Sequence, residues 1–215
     1  MLAYIRPSVC ILLVIYSLTT KLCANPIKFD FFGLAQTLAP PYMSPPKLCG
    51  RISSNISDLN ELSRIYPWIP NEHTIRPTET SLALKRRLME EVERDWHSIR
   101  DYIYHDVYGL PYMTNMHTYK RYVDSVPPNN QEWAFVPSKF RYNLPADAHH
   151  WVLWNSEGSY ADEYDDATVN MAIILALDSH LGHTDFEYAW YKNPKPTVPH
   201  LWHVQVFWKN TSSAA

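Results

Sequence analysis

Glycine is scarce in this chain: 5 residues in 215, against 17 prolines. A phosphate loop made of backbone N–H groups needs clustered glycines, so that way of holding phosphate is excluded. The prolines imply stiffened connections instead. Cysteine is scarcer still, and the three present, Cys10, Cys23 and Cys49, form no cluster that a zinc site or a disulfide framework would need. Basic excess is lacking too. Lys and Arg number 19 against 22 Asp and Glu, a net charge of −3, which gives no electrostatic case for nucleic-acid binding. No G-x-S-x-G or H-E-x-x-H occurs, so the usual serine-hydrolase and zinc-protease signatures are absent. What remains is apolar and aromatic. Hydrophobic residues make up 46%, with 8 Trp and 15 Tyr, the composition of a globular domain of ordinary size.

The amino-terminal segment differs from the rest. Arg6 is the only charged side chain before Lys21, and Val9 to Leu18 is apolar apart from Ser17. The small residue Ala24 follows Leu22-Cys23. This order reads as a secretory signal peptide over residues 1–24. The apolar run is about half the roughly 20 residues that a membrane-spanning helix requires, so no membrane span is expected. The alternative is an apolar tail read from a wrong start codon, or an apolar segment that packs on the domain. Removal of the signal would leave Cys49 alone, with no intramolecular disulfide to form. The sequons at Asn55 and Asn210 are no more than chance supplies from so short a pattern.

Residues 25–54 read as a Pro-rich arm, with Pro40-Pro41 and Pro45-Pro46 favouring extended backbone. A single domain is expected over 55–209, followed by a tail over 210–215. Ser57 is a good N-cap for a short helix through Arg64. The strongest helix begins near Thr78. Leu84, Leu88, Val92, Trp96, Ile99 and Ile103 make one apolar stripe, and the helix should end before Gly109. Lys85, Arg86, Arg87, Glu90, Glu91, Glu93 and Arg94 lie opposite and read as a solvated face. Residues 111–148 suggest irregular structure with short helical pieces. His150 to Trp154 reads as a buried strand. Asp162, Glu163, Asp165 and Asp166 precede an apolar helix from Ala167 to Leu181, stopped by Gly182, and acids there complement the helix dipole rather than bind calcium. Phe186–Tyr191 and Leu201–Trp208 are further strands. The order predicts an α+β fold: a helical N-terminal half, then a small, mainly antiparallel sheet with a crossover helix.

Six of the ten histidines fall between His149 and His203. Two H-x-x-H spacings occur, but one starts a strand, where such rings point to opposite faces, and the other straddles Gly182. No metal and no cofactor is therefore expected. His203 and Gln205, two apart on a strand, share one face, while Val204 and Val206 face the other way. Polar groups on an apolar strand need partners or a ligand. His150 can sit on a neighbouring strand, and Asn193 ends the preceding one. A strand His near Gln and Asn is the arrangement of histidine-triad nucleotidyl hydrolases and transferases, where the His attacks an α-phosphate. That reading makes His203 catalytic and His150, Asn193 and Gln205 ligand-binding. The competing reading is a core His bonded to backbone. Cys49, in the arm, is poorly placed for a nucleophile.

Two blocks carry a family likeness. Leu144 to Ala148 followed by His149-His150-Trp151-Val152-Leu153-Trp154 is one. The other is Tyr191-Lys192-Asn193, then Thr197-Val198, then Trp202-His203-Val204-Gln205-Val206-Phe207. Together with the helix from Thr78 to Tyr104, they resemble the fungal N-acetylglucosamine-induced protein family, which carries a domain of unknown function. The likeness covers about residues 55–209. It implies a single soluble domain and no particular reaction. Family members commonly show H-x-H in the closing strand; here His203 matches the second His, and Leu201 stands in place of the first. They generally lack a secretion signal, so the likeness implies a cytoplasmic protein where residues 1–24 imply secretion or the ER lumen. The expected function is binding of a small polar ligand, a nucleotide or a sugar phosphate, with histidine-triad-like phosphoester or nucleotidyl chemistry as the enzymatic version. The alternative is a non-catalytic protein whose aromatic surface binds glycan or protein.

Overall fold

A computed structural model describes residues 27–29, 59–69, 77–128, 131–159, 161–182, 185–193 and 195–211. The signal segment 1–24, the three cysteines, the Asn55 sequon and the Ser57 cap lie outside the described residues. The fold is α+β. Strand β1 (Ile27–Phe29) comes first, then α1 (Leu59–Ile65), α2 (Glu79–Asp95) and α3 (Ile99–Asp106). A hairpin of β2 (Met113–Thr114) and β3 (Arg121–Tyr122) follows. The remaining elements are β4 (Trp133–Pro137), β5 (Ala148–Asn155), α4 (Asp166–Leu181), β6 (Phe186–Tyr191) and β7 (Trp202–Asn210). Among the described residues no helix is long and apolar enough to cross a membrane.

Five strands form one sheet in the order β1-β4-β5-β7-β6, and each neighbouring pair is antiparallel. β7 lies between β5 and β6, so α4 is the crossover that carries the chain past β7's place. Its ends follow from its sequence. Asp165 accepts from the Thr168 amide at 2.9 Å, and Gly182 closes the helix at φ 64°, a left-handed geometry that glycine adopts without strain.

Four expectations are corrected. The arm is not all linker, because Ile27–Phe29 pairs with β4 at the sheet edge. Among the described residues, 111–148 are largely irregular, as expected, but also hold β2, β3, β4 and the first residue of β5. The long helix is two. Trp96 leaves α2 in extended geometry, and Ser98 starts α3 by accepting from the Asp101 amide at 3.1 Å. The break lets Trp96 bridge to Arg121 on β3 while α3 turns onto the sheet. At the other end, Asn210 belongs to β7, and the Thr211 amide donates to the Asp185 carbonyl, so the tail starts later than residue 210.

The pleat separates two faces. Trp133, Phe135, Trp151, Leu153, Tyr188, Trp190, Val204 and Val206 turn to α4 and pack on its Val169, Ala172, Ile173, Ala176 and Leu177. Ala134, Val152 and Trp154 turn the other way, to α2 and α3. Ala189, Tyr191 and Phe207 on that second face pack with Leu62, Tyr66 and Ile69 in and after α1. β5 is buried along most of its length because helices cover both its sides. That explains why its sequence runs aromatic and aliphatic with little polar alternation.

Candidate functional site

On the second face the polar side chains fall in a row. Trp154 of β5 pairs with His203 of β7, Val152 with Gln205 and His150 with Phe207. His203, Gln205 and His150 thus occupy successive levels of the same face, and the diagonal neighbours Gln205 and His150 meet. Asn193 lies two residues past Tyr191, which pairs with Gln205, so it comes at the His203 end of the row. All four residues line one cavity of about 180 Å³ between this face and helices α2 and α3. Sequence pattern placed His203 with Gln205 and His150 on a neighbouring strand, and the fold brings them together with Asn193.

Their bonds differ from what a shared triad would need. Gln205 serves His150: the imidazole Nε2–H donates to Gln205 Oε1 at 2.7 Å. The His150 ring lies against Phe207 at 4.9 Å and Tyr142 at 4.6 Å between centroids, which locks it in place. With Nε2 donating, Nδ1 carries the lone pair, and it has no hydrogen-bond partner although the residue is only 2% exposed. A buried polar atom without a partner costs about 1–3 kcal/mol. Burial pulls the His150 pKa down from 6.5 to about 4, so the ring is neutral at physiological pH.

His203 is held by its own strand. Its Nδ1–H donates to the Leu201 carbonyl at 3.0 Å, and the ring stacks on Trp154 at 4.5 Å. That tautomer puts the basic lone pair on Nε2. Burial brings this pKa to about 4 as well, with the nearby positive charge of Lys192 adding to the effect. A neutral imidazole with one nitrogen fixed by a backbone bond is the form in which His acts as nucleophile or base. The backbone bond is also what a simple core His would make. Leu201 shares the face and is buried in the α2–α3 core, where it can take no chemical part. Asn193 Oδ1 accepts from the Lys195 amide at 3.0 Å, shaping the turn that leads to β7.

Several cavity residues carried no functional signal in the sequence. Lys85, on the face read as solvated, reaches Thr197 Oγ1 at 2.7 Å and so ties α2 to the loop before β7. Lys139 donates to Tyr102 at 2.7 Å and pairs with Asp106. Burial opposes its charge, yet those two bonds outweigh burial and hold its pKa above the ordinary lysine value. Burial raises the Tyr102 pKa. The Ser138 amide donates to the His150 carbonyl, so the Lys139 loop is attached at the His150 end. A lysine in a run of mixed charges has no pattern that marks it as inward-reaching, and Thr197, its partner, lies 112 residues away in sequence.

The aromatic-surface alternative has little to work with among the tryptophans. All of them except Trp68 are buried, and Trp68 is partly so. Comparison of the chain with protein-family models, curated proteins and solved structures finds no match. The chemistry of the cavity must therefore speak for itself.

Proposed function

We propose that this chain binds a small phosphate-bearing ligand, a nucleotide or a sugar phosphate, in the cavity between the sheet and helices α2 and α3. The observation that carries this reading is the convergence on one cavity of His150, Asn193, His203 and Gln205, with a lone-pair nitrogen of buried His150 left without a partner. A core that needed only stability would fill such a position with an apolar side chain. A cavity of about 180 Å³ takes one ring of a ligand, with the rest at the opening. Phosphate cannot be held by backbone loops in so glycine-poor a chain, and lysine side chains at the cavity supply the charge.

His203 is the residue for any phosphoester or nucleotidyl step. Its neutral Nε2 would attack phosphorus and expel the ester or bridging oxygen, which leaves as an alcohol or phosphate protonated by water; water or another acceptor would then break the N–P bond and release His203. One histidine is present on that strand where histidine-triad enzymes use several, so binding is proposed ahead of turnover. Membership of the N-acetylglucosamine-induced family belongs to the same proposal and names no reaction.

Thermal-shift measurements with a panel of nucleotides and sugar phosphates test the reading. A saturating ligand at a hundred times its Kd stabilises by about 2.7 kcal/mol, a readily measured shift. The His203→Asn variant should lose most of it. No shift from any compound would reject the function. A shift unchanged by the variant would keep the binding and remove His203 from it.

A further inference from the structure

Helix α2 turns one side to the sheet, and a lysine stands on that side. Lys85 precedes the buried Val92 by seven residues, two helical turns, so the two project in the same direction. Leu88, between them, packs on the α2–α3 core. Lys85 itself is half-buried and lines the cavity. Packing alone would put an apolar side chain at such a position. A lysine that only covered apolar surface with its stem would send its ammonium out to water. Here the ammonium donates to Thr197 Oγ1 at 2.7 Å, and Thr197 lines the same cavity.

No carboxylate balances Lys85 among the described residues, where it makes no ion pair. Ser81, Leu82, Leu88 and Met89, its neighbours three and four positions away on α2, are uncharged. Asp106, the carboxylate in the cavity lining, is taken by Lys139. The two lysines of the lining therefore differ: Lys139 is neutralised and Lys85 is not. The bond to Thr197 uses one of the three ammonium hydrogens and leaves the hydroxyl hydrogen unused, so two N–H groups and one O–H can still donate. Lys192 acts on His203 and Arg141 on His150, and both charges are positive.

Resting on the ligand-binding reading above, we infer that Lys85, with Thr197 beside it, recognises the phosphate of the ligand and sets the preference of the cavity for phosphorylated over unphosphorylated compounds. A phosphate monoester accepts several hydrogen bonds and supplies the negative charge that Lys85 is not given by the protein. Lys139 is unsuited to this part, since an anion beside it would also meet the carboxylate of Asp106. Nucleotides and sugar phosphates share the phosphate group, so the role of Lys85 is the same for both.

Calorimetry on the full chain at constant ionic strength tests this role. One arm uses adenosine, guanosine, cytidine and uridine monophosphates, the other ribose and glucose phosphates, each compound beside its unphosphorylated form. At least one phosphorylated compound should bind roughly tenfold or more tightly than its unphosphorylated form. The arm it belongs to identifies the ligand class. Lys85→Met keeps the length of the stem and suits an inward position, so the fold should hold while the preference disappears. Lys85→Gln, which stays polar, is the second variant and should do the same. Arg86→Met removes the same charge from an exposed position on α2 and should change affinity by no more than about twofold, because solvent screens it. A preference that survives both Lys85 variants would overturn the role of Lys85 and leave ligand binding in place. An equal loss in Arg86→Met would overturn it too, since the effect would then be one of overall charge. Binding of no compound in either arm would overturn both the role of Lys85 and the ligand-binding reading.

Discussion

The two faces of the sheet solve the same burial problem differently. Toward α4 the buried side-chain amide is paired, while the indole N–H groups of Trp202 and Trp208 lie buried without a partner. Asn170, the polar residue buried in that helix, accepts from both Tyr188 Oη at 3.0 Å and Trp190 Nε1 at 2.9 Å. The aromatic rings on that side meet edge to face, Trp133 against Trp202 at 5.6 Å and Trp151 against Trp208 at 5.9 Å. Toward α2 and α3 the same strands carry His150, His203 and Gln205, and the helices stand off far enough to leave a cavity. One face spends its side chains on cohesion. The other carries two histidines and a glutamine beside a cavity, and that contrast locates the candidate site.

Acid should break the contrast first, because it acts on the second face. His150 and His203 are held near 4 in the folded chain against 6.5 when exposed. The unfolded chain therefore takes up protons that the folded chain refuses as pH falls below 6.5. Stability contributed by the two neutral rings is complete above 6.5 and is lost progressively toward 4, by about 3 kcal/mol per histidine at most. Urea midpoints measured from pH 8 to 4 should stay level and then fall. The slope should be roughly halved in His203→Asn. A flat profile would show that the rings are not buried neutral.

Truncation on adjacent residues of β5 sharpens the comparison. Leu153 faces α4 and is fully buried, so Leu153→Ala should cost about 3 kcal/mol. Val152 faces the cavity and has fewer atoms to lose contact with, so Val152→Ala should cost about 1 kcal/mol. Equal losses in chemical denaturation would mean that the second face is packed as tightly as the first. An effect as small as that at Val152 is expected at Gln205. Gln205→Leu removes the acceptor for His150 Nε2–H but adds apolar bulk at a half-buried position, a net loss of about 1 kcal/mol. The His150 side-chain proton should then exchange faster by NMR. Unchanged exchange would mean that the Gln205 bond does not hold the ring.

Much of the fold was legible because its signals are local. Asp165 and Gly182 mark the ends of α4, and the unbroken apolar runs of β5 and β7 mark strands covered on both sides. The break between α2 and α3 was hidden, since Trp96, Ile99 and Ile103 keep helical spacing across it. The clue was Ser98 with Asp101 three residues on, a capping pair inside the stripe. β4 was hidden by Pro137 at its end and by Pro127 and Pro128 before it, and β1 is too short for any periodicity. In the site, the shared face of His203 and Gln205 follows from alternation along one strand. The bond between Gln205 and His150 does not, because it depends on the register between β5 and β7 and on a diagonal contact across it. Lys85 and Thr197 meet only through the packing of a helix on a distant loop.

The central position of β7 also bears on how the chain comes off the ribosome. Both of its neighbours, β5 and β6, precede it in sequence, and among the described residues β6 has no other partner in the sheet. Until residues 202–210 emerge, two apolar strand edges wait with unpaired N–H and C=O groups, and the floor of the cavity does not yet exist. Synthesis must run nearly to the end of the described chain before the sheet can close. A stop codon before Trp202 would remove the middle of the molecule rather than trim its edge, and the product would be a substrate for chaperones and proteases.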